Sequence, residues 1–196
     1  MNKIGRPLEF NPELAVKSAM ELFWRNGYEA TSLQNLISSM HLSKSSFYQT
    51  FHSKHALFQR CIQSYQSMLA DSFLQQLNTA PSSKFFITSV FQNIADEAAG
   101  STVPKGCLLM NTANEFSQND PEISKMVLSS IESLINIFEL AVTQSQQQGE
   151  IPIDKNPRST AVYLVSSISG LRNMIKAGAE RKTVDDIILL TLTVLE

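Results

Sequence analysis

The chain carries little charge, few glycines and almost no cysteine. Of its 196 residues 17% are charged and 43% hydrophobic, which excludes a charge-rich disordered chain and leaves enough apolar surface for a packed core. Two cysteines, Cys61 and Cys107, make no disulfide framework, so reduced thiols in a cytoplasmic protein are the simplest expectation. No run of eighteen apolar residues occurs, and the start MNKIGRPLEF lacks the apolar stretch of a signal peptide, so no membrane span or leader is expected. Strand-like alternation and nucleotide-type glycine loops are also missing. So are Cys-x-x-Cys and His-Glu-x-x-His; His52 and His55 lie three apart without further ligands, and neither a metal nor a cofactor is expected.

Acidic residues are absent where a polyanion would be met. None occurs between Glu29 and Asp71, a stretch that holds Lys44, Lys54, Arg60 and all three histidines. Residues 1–60 contain seven Lys/Arg and four Glu, a balance of +3, whereas residues 61–196 contain nine Lys/Arg and fourteen Asp/Glu, a balance of −5. The overall charge of −2 therefore hides a locally positive surface suited to phosphates.

What is present is helical periodicity. Asn11-Pro12 supplies an N-cap and an N1 proline, and Leu14, Ala15, Ala19, Leu22 and Phe23 mark one face of a first helix stopped by Gly27. Thr31, with Gln34 three residues on, reads as a capping box for a second helix whose buried face is Leu33, Leu36, Ile37 and Met40. A turn at Met40-His41-Leu42 follows, where histidine tolerates positive φ better than a branched residue would. Ser43 caps a third helix anchored by Phe47 and Phe51, with Lys44, Ser45, Ser46, Tyr48 and Gln49 outward. Two short helices joined in this way form a helix-turn-helix, whose second helix enters the DNA major groove. Lys44, Ser45, Ser46 and Gln49 are expected at base edges; Thr31, Ser32, Tyr48, His52 and Lys54 are expected at phosphates, with Ser43 at the cap between them. Gly5-Arg6-Pro7 suggests an arm that places Arg6 in the minor groove.

These residues carry a family likeness. Trp24-Arg25-Asn26-Gly27-Tyr28, the Thr31-Ser32 cap, Ser43-Lys44 followed by Phe47-Tyr48, and Phe51-x-Ser53-Lys54 resemble the N-terminal DNA-binding domain of TetR-family transcriptional regulators over roughly residues 10–60. The family commonly has glycine in the turn that here reads Met40-His41-Leu42. The resemblance implies an all-α chain: an N-terminal arm and three-helix head in residues 1–53, then a helical effector-binding and dimerisation domain in residues 54–196, about nine helices in all. It also implies a homodimer on a palindromic double-stranded operator, usually as a repressor, released by a small-molecule effector.

Later breaks at 79–83, 100–103 and 149–156 predict helices over 54–76, 84–98, 105–116, 121–149 and 157–177, and a last one capped by Thr183 with Asp186. The final two, with YLVSSISGL and IILLTLTVL, are apolar beyond one face and so need burial on more than one side, which a second copy would supply. Phe73, Phe91, Phe138 and Tyr163, with Phe85, Phe86, Phe116 and Met110, are the apolar residues expected around an effector, and Asn111, Asn114 and Arg172 the polar ones. PKGCLLMNTANE resembles a Gly-Cys-Leu segment of some family members, including ones that respond to electrophiles or oxidants. With Cys107 expected in the first turn of a helix begun by Pro104, near Lys105, thiol modification is a second expected route to release. Two other classes stay open: a protein-interaction module without DNA, which would show no preference for specific duplex, and a thiol-dependent enzyme, which would turn over an electrophile.

Overall fold

Asn11 opens the first helix, α1 (Pro12–Asn26), by accepting the amides of Glu13 and Leu14 on its side chain, and Gly27 closes it at φ +82°, a conformation that a Cβ would strain. The computed structural model describes residues 10–100, 103–116 and 120–196, and among these residues there are nine α-helices and no strand. After α1 come α2 (Leu33–Ser39), α3 (Lys44–Phe51), α4 (Lys54–Thr79), α5 (Ser83–Ala99), α6 (Leu108–Phe116), α7 (Pro121–Gln147), α8 (Pro157–Lys176) and α9 (Arg181–Leu192), with a 3-10 turn at Thr193–Leu195. The chain forms two compact units, one ending at Tyr65 and the other spanning Gln66–Glu196, so the division falls inside α4.

In the first unit the core is aromatic. Phe23, Phe47, Phe51, Phe58 and Tyr65 are sealed together with Leu36, Leu57 and Ile62. Phe23 meets Phe58 edge-on at 4.8 Å, and Trp24 meets Tyr65 edge-on at 5.1 Å. Leu57, Phe58, Cys61, Ile62 and Tyr65 all belong to α4, which is why that helix contributes its first three turns to this unit. Burial pushes the Cys61 thiol far up, partly offset by the neighbouring Arg60 charge, and its Sγ lies 3.6 Å from the Val16 carbonyl; Cys61 is a packing residue. Leu14, expected inward, is 63% exposed; Val16 and Met20 take the buried stripe with Ala15, Ala19 and Phe23.

The turn geometry is unusual at both ends of α3. His41 has φ +54°, as its place in the turn predicts. His52 has φ +64° and ψ −46°, and the Ser53 amide reaches back to the Phe51 carbonyl at 2.7 Å, a γ-turn of the strained kind that sequence did not reveal.

The second unit packs α5, α7, α8 and α9 around a core in which Phe73, Phe86 and Phe138 contact one another at 5.5–6.1 Å between centroids. By length and composition α7 could cross a membrane, but Ile123, Val127, Ile135, Ile137, Phe138, Ala141 and Val142 are buried as the core helix of this unit. Arg158 of α8 binds Glu139 of α7 at 3.0 Å and also pairs with Glu132.

Three helix starts differ from expectation. Ser32, rather than Thr31, caps α2 and forms the capping box with Asn35. Helix α6 begins at Leu108 rather than Lys105, because Gly106 turns the chain at φ +72° and Asn111 Nδ2 donates back to the Lys105 carbonyl at 2.9 Å. Helix α9 begins at Arg181, after Glu180, with no side-chain cap; Thr183 and Asp186 lie inside it, where Asp186 pairs with Lys182 and Asp185 with Arg181.

His41→Gly should raise stability by about 0.5–1 kcal/mol, because glycine removes the cost of positive φ while adding a smaller unfolded-state entropy. Thermal unfolding checks this: the midpoint should rise by roughly 1–4 °C, and a fall would show that the His41 side chain holds the turn.

Candidate nucleic-acid interface and effector cavity

The residues expected to face DNA lie on α3 and at its two ends. Ser43 caps α3 by accepting the Ser46 amide at 3.1 Å, and its hydroxyl also meets Ser45 Oγ at 2.9 Å and Ser46 Oγ at 2.8 Å. Those three hydroxyls are thus tied to the helix start. Phe47 and Phe51, one turn apart, are fully buried. The opposite face follows from helical spacing: Lys44, Ser45, Tyr48 and Gln49 are exposed, with Ser46 half-buried. Tyr48 keeps 45% of its surface exposed while its ring meets Phe47 edge-on at 5.4 Å. Eight residues therefore hold an inner aromatic anchor and an outer row of donors.

At the flanks, Ser32 is an exposed cap and His52 is exposed at the γ-turn. Thr31 is a correction to the expected phosphate set. It is completely buried, and its hydroxyl donates to the Gly27 carbonyl at 2.6 Å, so it closes the α1–α2 turn from inside. Arg6 lies outside the described residues.

Lys54 opens α4 just after Ser53, whose hydroxyl accepts the Ala56 amide. Its ammonium stands 4.1 Å from the centroid of the Tyr28 ring, which stacks on Phe23 at 5.8 Å and tilts against Phe58 at 4.9 Å. A cation over an aromatic face is attracted by the ring quadrupole, so the buried aromatic core sets where this charge sits. Tyr28 was legible in the sequence only as part of the helix stop; its contact with Lys54 joins residues twenty-six apart. Among the described residues no group of three or more His, Cys, Asp or Glu side chains converges as a metal site.

In the second unit the expected effector residues do not gather at one place. Phe73, Phe91 and Phe138 are buried core, and Tyr163, with Phe85, is turned outward; their apolar spacing marked packing rather than a cavity. Asn114 is exposed, and Met110 and Asn111 are half-buried, with Asn111 Oδ1 accepting from Lys176 at 2.9 Å. Arg172 pairs with Glu97 at 3.3 Å, and its Nε is buried without a partner. Cys107 is buried just before α6, its carbonyl accepting the Asn111 amide, so it precedes the first turn instead of lying within it.

A cavity of about 230 Å³ lies elsewhere, between α6 and α7. Ala113 and Phe116 line it from α6, and Ile123, Val127 and Ile131 from α7. Of the residues expected around an effector, Phe116 alone is among its described walls. The signal that could have found it was the α7 stripe Ile123, Val127, Ile131, which sequence assigned simply to the core.

Residues 87–188 match the family model described as Tetracyclin repressor-like, C-terminal domain, and residues 15–61 match that of Bacterial regulatory proteins, tetR family. The chain is 29% identical over 194 residues to YezE of Bacillus subtilis (strain 168), an uncharacterized HTH-type transcriptional regulator, covering 98% of this chain and 100% of the relative. It is 28% identical over 189 residues to the HTH-type transcriptional repressor ComR of Escherichia coli (strain K12), covering 96% and 90%. Among solved structures, a cysteine mutant of CifR complexed with 26 bp double-strand operator DNA superposes with a TM-score of 0.84 at 22% identity, covering 98% and 100%. The reduced form of E. coli NemR gives 0.86 at 15% identity, covering 94% and 96%.

Lys54→Gln should weaken DNA binding and lower the salt slope by about one. Tyr28→Leu should cost a further two- to five-fold only while Lys54 is present, the size of an exposed cation–π contact. Anisotropy titrations at several salt concentrations check this: equal losses from Tyr28→Leu in both backgrounds would leave Tyr28 a core residue alone.

Proposed function

The chain belongs to the TetR family of bacterial regulatory proteins and is a DNA-binding transcriptional regulator; from that premise we propose that it is a cytoplasmic repressor that binds a palindromic operator as a homodimer and lets go when a small molecule binds. The observation that carries this reading is the division of α3, whose Phe47 and Phe51 are sealed while Lys44, Ser45, Tyr48 and Gln49 stand outward in an acid-free stretch. Lysine and glutamine suit guanine and adenine edges in the major groove, and Tyr48, Ser32, His52 and Lys54 suit the phosphates beside it. Arg6 is proposed for the adjacent minor groove.

The dimer reading rests on α8 and α9. Leu189 and Leu190 expose about 70% of their surface, and Val162 and Tyr163 more than 40%. On α8, Val162, Ser166, Gly170 and Met174 recur every fourth residue and are all exposed; a Cβ added at Gly170 would meet nothing within 4 Å. A stripe of small and apolar residues left open in this way suits close approach of a second copy's helices. The relatives YezE and ComR are transcriptional regulators, which favours regulation over turnover.

Binding to the chain's own upstream DNA and to random duplex at physiological salt tests the reading. The expected result is a preference of at least about a thousandfold with two protomers per duplex, and a preference near one overturns it.

Modification of Cys107 is a second route to release, favoured by its setting: the Lys176 stem packs so closely on Gly106 that a Cβ there would lie 3.1 Å from Cδ, and the Lys176 ammonium donates to Asn111, four residues after the thiol, at 2.9 Å. Treatment with N-ethylmaleimide should release DNA from the wild type and not from Cys107→Ser; equal release from both excludes this route.

A further inference from the structure

We propose that the cavity between α6 and α7 holds an uncharged, mainly apolar effector somewhat larger than benzene, and that the hydrogen bond between Ser130 and Gln66 carries its effect into α4. The proposal rests on the reading of the chain as an effector-responsive regulator.

The walls decide the ligand class. Among the described residues lining the cavity none is charged. Its polar members are two hydroxyls: Ser124, and Thr112, which already donates to the Leu108 carbonyl at 2.8 Å. A charged ligand would lose its hydration there without a compensating partner. Volume sets the size: a dry apolar cavity of about 150 Å³ accepts benzene, and drug-sized ligands fill pockets from about 300 Å³ upward. At about 230 Å³ the space fits a bicyclic or short branched molecule. Access comes at Leu128, a lining residue that is 67% exposed.

The same stretch of α7 carries the link. Val127 and Ile131 line the cavity, and Ser130 lies between them, completely buried. Its hydroxyl is 2.8 Å from the Met126 carbonyl in its own helix and 3.0 Å from Oε1 of Gln66 in α4. A hydroxyl has one proton, so it can serve one acceptor well or share itself poorly between both. A ligand that moves α7 by a few tenths of an ångström therefore selects the local bond or the bond to α4. Gln66 directly follows Tyr65, the buried residue that meets Trp24 of α1, and α4 is one continuous helix back to Lys54. Coupling requires a ligand that distinguishes the two arrangements, and the cavity is lined by Val127 and Ile131, which flank in α7 the residue that differs between them.

The test uses the full chain, neutral 1-naphthol and anionic 1-naphthoate as probes, and a duplex carrying the chain's own upstream DNA. Calorimetry should show 1-naphthol binding at least tenfold tighter than 1-naphthoate, and saturating 1-naphthol should weaken DNA binding at least tenfold. Ala113→Phe, which fills the cavity, and Leu128→Trp at its opening should each reduce 1-naphthol affinity at least tenfold while leaving DNA affinity without probe unchanged; the second variant serves if the first does not fold. Gln66→Leu should keep 1-naphthol binding and lose most of its effect on DNA. Failure of 1-naphthol to bind, binding unaltered by both cavity variants, or equal binding of 1-naphthoate overturns the site. An undiminished response in Gln66→Leu, or none in the wild type, overturns the link. Were DNA preference absent in the wild type while 1-naphthol still bound through Ala113, the regulatory reading would fall and the cavity would stand.

Discussion

An eight-residue helix has no stability of its own in water, because nucleation costs more than so few hydrogen bonds return. Helix α3 exists because Phe47 and Phe51 are sealed into the aromatic core of the first unit. That single anchoring decides both its presence and its rotation about its axis. With two rings one turn apart held inside, Lys44, Ser45, Tyr48 and Gln49 have to point out, and that outward row is what the proposed reading of DNA uses. Each Phe truncated to Ala in such a core would cost about 3–5 kcal/mol, a large share of the stability of a small domain.

The same core places charge at a distance. Tyr28 is held by Phe23 and Phe58, and Lys54 rests on its ring, so aromatic packing rather than an ion pair positions this cation. An ion pair would have neutralised this lysine; a ring orients it and leaves its charge intact. His52, strained at the junction of α3 and α4, keeps α3 and α4 separate helices where a relaxed residue would let them run on. The second unit obeys a different logic: Phe73, Phe86 and Phe138 fill its centre, and the apolar cavity lies to one side, between α6 and α7.

Much of this was legible from sequence because it depends on local rules. Asn11, Ser43 and Asn156 cap helices where their spacing to the following apolar residues predicts, and the break at Gly27 follows from glycine's freedom at positive φ. His41 adopts the positive φ that its place in a glycine-less turn demands. The family likeness, the helix-turn-helix and the all-α architecture rest on such short-range patterns, and the family models matched over residues 15–61 and 87–188 agree with them.

What sequence could not decide is which of several equivalent residues looks inward. Thr31 and Ser32 are both good caps, and only packing put Thr31 inside on the Gly27 carbonyl and left Ser32 to cap α2. Phe91 and Phe85 are both aromatic residues of α5, yet one is sealed and the other half-exposed. Periodicity records that a face is apolar; it does not record whether neighbouring helices fill the space above it. The composition and spacing of this chain determined its helices and its family, because those arise within a few turns of backbone. Where the α6–α7 cavity lies, and which serine of α7 bonds to α4, was decided by tertiary packing, because both depend on how separate helices meet in space.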